Sequence, residues 1–333
     1  MSRRVVTAQL TFDFNGAVPT LNAPLIKYAG AKNWLVKLLA IRLHAHLAGV
    51  ADSVYVEPFA GSLALGLAVG WPGSIYSDTS ADLMNLYFAL ADDGPQVADE
   101  VDTLRALDGE ESYYKTRESV WPENRATITR PSWAARTIWL NRNCFNGLTR
   151  TNQKGQFNVP WGKRHDIALP SRDHLERVGR LLKRATLCQD DFAIVLDAVH
   201  KAQDPRKLVV YLDPPYGAKL KNVSTRGARD RGGASGDGVF TGYAGTFTWA
   251  DQVRLAEWAR ALARLGSLVV ASNAWSDEIC DLYRDDFALF QVGVQHSVGA
   301  TGARRGRRAE MLAVSTNHAS VLDSVPAKIT RKK

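Results

Sequence analysis

The chain has 333 residues, 45% hydrophobic and 23% charged, the balance of an ordinary soluble protein long enough to bury a substantial core. Lys and Arg exceed Asp and Glu by 42 − 34 = 8, which favours a polyanionic partner, most simply nucleic acid. Three scattered cysteines (Cys144, Cys188, Cys280) argue against a disulfide framework and a zinc site, and the most apolar stretch, 60–71, is too short and glycine-rich to span a bilayer. No long basic amphipathic helix points to a membrane surface, and no signal-type apolar block follows Met1-Ser2-Arg3-Arg4, so a reducing cytoplasm is expected.

Residues 1–23 read as an N-terminal arm. From Pro24 the pattern sharpens: Lys27-Tyr28-Ala29-Gly30-Ala31-Lys32 leads into a helix in which Trp34, Leu35, Leu38, Leu39 and Ile41 recur at helical spacing. Val54 to Glu57 is a strand that stops at Pro58. The small-residue turn Phe59-Ala60-Gly61-Ser62 then opens a helix through Leu63, Leu65 and Leu67, with Gly61 leaving room for a ligand against the backbone. This strand–turn–helix is not a G-x-G-x-x-G fingerprint and carries no phosphate-loop lysine, so a diphosphate cofactor is not indicated. A second strand, 74–77, ends at Asp78, where doubly wound folds grip a ribose. The same acid could equally cap the helix expected over 80–90.

The αβ rhythm then breaks. Residues 91–135 are polar and helical in pattern. Phe145 to Gly162 is dense in Asn, Gly and Arg between aromatics, with turn signals that predict a hairpin or tight loop, and with side chains suited to reading base edges in a major groove. A helix over 172–183, a strand near Leu187 and a helix over 192–200 return the chain to a sheet. Val209-Val210-Tyr211-Leu212 is a short apolar run, as in a strand covered on both faces, and Pro214-Pro215 must end it. That leaves Asp213, two prolines and Tyr216 at the carboxyl edge of a sheet, where open α/β sheets bind ligands. The alternative is a plain Pro-Pro turn with Asp213 as a polar terminator. The Gly/Ser/Arg-rich 218–245 reads as a long functional or disordered loop. A helix over 249–265 and strands at 268–273, 287–294 and 311–314 complete the pattern. Arg304 and Arg305 belong to a basic cluster that would contact phosphate beside a DNA cleft, or form a solvated hairpin tip.

Taken together, these segments resemble the DNA adenine methylase family of S-adenosylmethionine-dependent N6-adenine methyltransferases, over about Pro24 to Ser315. Lys27 to Lys32 is similar to the family's K-W-x-G-G-K, and Glu57 to Ser62 to its E-P-F-x-G-S. Asp78 to Leu83 stands at its D-x-N-x-x-L, Phe145 to Gly162 at its long Asn/Gly hairpin, and Asp213 to Tyr216 at its D-P-P-Y. The resemblance implies an α/β, Rossmann-like methyltransferase sheet. The catalytic domain would be 24–90 and 206–316, with an inserted, mostly helical target-recognition region over 91–205 and a basic tail over 317–333.

It further implies S-adenosylmethionine as methyl donor, held by Tyr28, Lys32, Phe59, Gly61, Asp78 and Asp213, and no metal, because the sulfonium methyl is already activated. Asp213, Pro214, Pro215 and Tyr216 would carry catalysis on an adenine flipped from the duplex. Asn146, Leu148, Arg150, Asn152, Pro160, Arg304 and Arg305 would contact double-stranded DNA at a GATC-type site. The expected setting is a monomer, off the membrane, in a prokaryotic or phage-infected cell. Departures cluster on the cofactor side: Tyr28 for Trp, Ala31 for the second Gly, Leu63 for a small residue, and Ser80 for Asn. They leave open a catalytically weak DNA-binding protein on the same fold, and a shift of substrate to RNA or cytosine N4 is a further alternative.

Overall fold

The computed structural model describes residues 22–28, 33–119, 127–152, 154–216, 247–294, 308–322 and 329–331. Within these, strands β1 (Val54–Glu57), β2 (Ile75–Ser77), β3 (Thr186–Cys188), β4 (Leu208–Leu212), β5 (Leu268–Ala274), β6 (Phe287–Val294), β7 (Arg308–Ser315) and β8 (Ile329–Arg331) form one sheet. Its order is β3-β2-β1-β4-β5-β7-β6-β8, a Rossmann-like arrangement. The run from β3 to β5 is parallel, and β7 enters antiparallel between β5 and β6. The order reverses between β1 and β4, so the carboxyl ends of these two neighbours open the crevice where such sheets hold ligands.

All five residues of β4 are buried, as its unbroken apolar run requires. Val209 and Tyr211 face a core shared with α1 (Asn33–Ala48), α2 (Ala64–Val69) and α3 (Ala81–Leu104). Leu208, Val210 and Leu212 face the opposite core, under α7 (Phe192–Ala202), α8 (Trp249–Arg264) and α9 (Asp277–Tyr283). The sheet is thus covered on both sides, and its ligand positions are confined to its edge.

The helix expected over 80–90 runs on as α3 to Leu104, with a break at Asp93 (φ −149°, ψ 77°). Asp93 Oδ1 accepts the Gln96 N–H at 3.0 Å and restarts the helix, placing Pro95 in a first turn where its missing N–H costs nothing. Then follow α4 (Gly109–Glu118), α5 (Arg130–Asn143) and α6 (Arg172–Leu182). Tyr113, Trp139, Leu140, Cys144 and Val159 form a small core of their own beneath the 145–162 hairpin. From β3 onward the chain is back in the sheet: β3 pairs with β2, and α7 packs on that sheet, although both fall within 91–205. The basic 317–333 segment, expected as a tail, also reaches the sheet. Leu322 is buried, the Val321 carbonyl accepts from Arg42 at 2.7 Å, and β8 pairs with β6. No helix among the described residues is long and apolar enough to cross a membrane.

Candidate active site

Asp213 to Tyr216 leave the end of β4, as the two prolines dictate. The Tyr216 hydroxyl donates to Asp213 Oδ1 at 2.8 Å and lies 2.6 Å from Ser272 Oγ on β5. A phenol has one hydrogen, so with that hydrogen on Asp213 it is Ser272 that donates to Tyr216. Burial, then the charges of Asp213 and Glu310, hold the phenol well above its ordinary pKa, so it stays a neutral donor. The neighbourhood is therefore a carboxylate capped by a partly buried tyrosine that is itself steadied from the next strand.

The turn after β1 supplies the other half. Gly61 has φ +46°, and a Cβ there would come within 3.0 Å of the Tyr28 ring. Its N–H donates to Asp78 Oδ2 at 2.9 Å, and its carbonyl accepts the Tyr87 hydroxyl at 2.5 Å. Tyr28, Gly61 and Asp78, far apart in sequence, thus meet. Asp78 Oδ1 also accepts the Ser80 N–H at 2.9 Å. Burial raises the Asp78 pKa, while the N–H groups of Ser80, Gly61 and Thr79 oppose the rise. Asp78 is not the helix cap: Ser80 is, accepting from Leu83 N at 3.4 Å, which gives the residue found in place of the family's Asn a structural task. Leu63, also unusual, sits fully buried in the left-handed region at φ +53°.

Phe59 stacks on Phe192 (5.3 Å, 29°) and meets Phe247 edge-on (5.7 Å, 80°). Sequence reasoning did not bring Phe192 to Phe59. Asp190 is fastened to β2, its carbonyl accepting from Ser77 Oγ at 3.1 Å, while Asp191 caps α7. The available signal was Asp190-Asp191-Phe192 immediately after a predicted strand, the same order of acid and aromatic that ends β1. Glu57, which ends β1 and opens the E-P-F-x-G-S stretch, carries no site role in the sequence reading. It is 3% exposed, takes the Tyr55 hydroxyl on Oε2 at 2.9 Å, and is pushed up to about 8 by burial, with the charge of Asp213 adding to the rise. Lys32, Arg304 and Arg305 lie outside the described residues.

The predicted hairpin is present. Phe145 N bonds Pro160 O at 2.9 Å, Gly162 N bonds Asn143 O at 2.9 Å, and Thr151 bridges Phe157. Phe145 and Asn146 lead the turn, exposed, with Asn146 at φ +54°. Pro160 is also exposed and Leu148 partly so. Arg150 Nε donates to Asn158 Oδ1 at 2.7 Å, across the hairpin. Asn152 shapes the tip: its Oδ1 accepts from Lys154 N and Gln156 N at 2.9 and 3.1 Å, and its amide donates to Gln156 Oε1 at 2.7 Å. The five DNA-contact candidates within the hairpin therefore share one element, but two of them also hold it in shape.

The hairpin's root is tied to the Tyr28 segment. Lys27 N donates to Asn141 Oδ1 at 2.7 Å, and Asn141 Nδ2 donates to Lys27 O at 2.9 Å and to Gly147 O at 3.1 Å. Arg142 Nε and Nη2 bond Leu25 O at 2.9 and 2.7 Å. Burial, with Arg164 and Arg142 nearby, lowers the Lys27 pKa.

Sheet order, acid-tipped strands and a small-residue turn define a Rossmann-like methyltransferase. A family model for the D12 class N6 adenine-specific DNA methyltransferases matches residues 28–230. The retron Ec67 DNA adenine methylase of Escherichia coli is 30% identical, over 87% of this chain and 90% of its own length. The type II methyltransferase M.MjaIII of Methanocaldococcus jannaschii is 29% identical, over 85% and 94%. The DNA adenine methylase of Vibrio cholerae is 29% identical, over 89% and 96%. The chain belongs to the D12 class of N6 adenine-specific DNA methyltransferases.

Proposed function

We propose that this chain transfers the methyl group of S-adenosylmethionine to adenine N6 in duplex DNA, on a base flipped out of the helix, at a GATC-type site. The observation that carries the proposal is the meeting of two halves at one sheet edge: Asp213 under Tyr216, and Gly61 between Tyr28 and Asp78. The cradle fits the donor. A Cβ at Gly61 would collide with the Tyr28 ring, so the turn offers bare backbone there, and a carboxylate has about four lone-pair sites, so Asp78 can hold the N–H groups of Gly61, Ser80 and Thr79 and still accept from a ribose. Tyr28, Lys32, Phe59, Gly61, Asp78 and Asp213 are the residues we assign to it, with Phe192 stacked on Phe59. When bound, S-adenosylmethionine supplies an already electrophilic methyl carbon.

The chain's own residues must then make a poor nucleophile react. The adenine amino lone pair is delocalised into the ring. Asp213 and the Pro214 carbonyl accept the N6 hydrogens, localise the lone pair and stabilise the positive charge that develops as the N6–carbon bond forms and the carbon–sulfur bond breaks. The surplus N6 proton passes by way of Asp213 to water. Pro215 keeps the backbone stiff, so donor and acceptor stay in line. Tyr216 stacks on the extruded base, which requires its hydroxyl to release Asp213 Oδ1.

We assign direct DNA contact to Asn146 and Pro160, which are exposed, to Leu148, which is partly so, and to Arg150, which would reach a base edge by giving up Asn158. Asn152 acts through the shape of the tip, and Arg304 and Arg305 are assigned to phosphate. The cofactor-side departures have local accommodations in Tyr28, Leu63 and Ser80, which favours an active enzyme over an inactive binder. We assign a monomer working on cytoplasmic DNA. Nucleoside mass spectrometry of duplex DNA incubated with protein and S-adenosylmethionine tests the reaction: N6-methyladenine should form, and Asp213→Ala should abolish it with the fold intact. Methylation on cytosine or RNA alone, or none, refutes the proposal. Methylation-sensitive sequencing gives the recognition site.

A further inference from the structure

We infer that Asn141 is a positioning residue that makes duplex binding and cofactor binding cooperative, by fastening the root of the recognition hairpin to the segment that carries Tyr28. The inference rests on the proposed S-adenosylmethionine site. Asn141 lies in the last turn of α5, is 1% exposed, and spends its amide on two distant stretches of backbone: the Lys27 N–H and carbonyl on one side, the Gly147 carbonyl on the other. Its orientation is unambiguous, because Lys27 N–H needs an acceptor and both carbonyls need donors. No water can take over these bonds at a buried amide, so the two backbones move together or lose hydrogen bonds.

Two further observations make the joint stiff. Gly147 has φ +65°, and a Cβ there would come within 2.4 Å of Lys27 Cβ, so the hairpin turn lies directly against the Lys27 residue. On the next residue, Tyr28, the ring abuts Gly61, whose N–H is held by Asp78. One continuous set of contacts therefore runs from Gly147 through Asn141, Lys27 and Tyr28 to Gly61. Leu148 and Arg150, directly after Gly147, are where a duplex would pull. A cofactor seated on Tyr28 and Gly61 orders the same set from its other end, and whichever ligand binds first leaves less for the second to order.

The test is calorimetric titration of S-adenosylhomocysteine, a non-reacting stand-in, into full-length protein with and without a duplex carrying the sequence that the wild type methylates. Duplex should tighten wild-type binding by about tenfold, within the usual range of site-to-site coupling. Asn141→Asp keeps the acceptor for Lys27 N–H but turns a carboxylate oxygen toward two carbonyls. It should bring the ratio to within about twofold of unity while leaving the binding of each ligand alone nearly unchanged. A merely structural role would weaken both separate affinities or the melting temperature and leave the ratio alone. Gly147→Ala, which forces the hairpin off Lys27 with Asn141 intact, should also flatten the ratio and serves if Asn141→Asp does not fold. A wild-type ratio of one, or variants that keep the wild-type ratio, overturn the inference alone. Failure of the wild type to bind S-adenosylhomocysteine in either state overturns the cofactor assignment on which it rests.

Discussion

Replacing Glu57 by glutamine isolates the buried carboxyl beneath the active-site edge. Glu57 titrates at about 8 in the fold against an ordinary 4.5. Its pKa is raised on folding, so the protonated form is the one the fold prefers. Its contribution to stability is complete below 4.5, is lost progressively as pH rises, and is fully lost above 8. With 1.36 kcal/mol per pKa difference of one, the penalty grows by about 4 kcal/mol between pH 5 and pH 9. Glutamine keeps an oxygen to accept the Tyr55 hydroxyl and resembles the protonated acid in charge and shape. It should therefore be close to wild type at pH 5 and more stable by about 4 kcal/mol at pH 9. Urea unfolding of both proteins at pH 5, 7 and 9 gives the difference directly, since every other titrating group is common to the pair. Parallel stability curves for the two proteins would show that Glu57 ionises normally in the fold and refute the reasoning.

Two other outcomes are expected from the same geometry. Leu63→Gly relieves a left-handed leucine by about 1–2 kcal/mol but empties a fully buried site at a cost of about 2–5 kcal/mol, so the melting temperature should fall despite the family's preference for a small residue there. Asn152→Ala removes the acceptor of two tip N–H groups and should weaken discrimination between cognate and single-mismatch duplexes, measured as a ratio of kcat/KM values, with the melting temperature almost unmoved because the tip is exposed.

Features that rest on local physics could be read directly from the chain. An apolar run halted by Pro214-Pro215 is a buried strand that must stop there, Gly61 after Glu57-Pro58 is a slim turn, and the Asn/Gly density of 145–162 is a hairpin, because strand period and backbone freedom are properties of neighbouring residues. What escaped depends on distance. Asn141 bonds a residue 114 positions away. Phe192 meets Phe59 only because parallel pairing brings the end of β3 to the same edge of the sheet. Nothing local distinguishes Asp78 from Ser80 as the cap of α3, since both types serve equally well at that position. Only the fold, by supplying Gly61 N–H as a partner, assigns Asp78 to the turn and leaves the cap to Ser80.

The bond between Tyr216 and Asp213 bears on how turnover is confined to the correct base. A hydrogen bond to a charged group contributes about 1.5–3 kcal/mol, and stacking of an aromatic on a base about 1–3 kcal/mol. The two are close in size, so giving up the first for the second is nearly neutral, and Tyr216 can leave Asp213 when a base arrives without being loose beforehand. Tyr216→Phe keeps the ring and abolishes the resting bond, whereas Tyr216→Ala abolishes both. Phenylalanine should therefore retain most of kcat and lower KM by about tenfold or more, whereas alanine, which loses both contacts, should stay near wild type in kcat/KM and fall about 10–100-fold below phenylalanine. Steady-state kinetics on a duplex with a single target adenine separates the two parameters. Equal losses for phenylalanine and alanine would mean that the hydroxyl, rather than the ring, is what the reaction uses, and the exchange of one contact for the other would not be how the site opens.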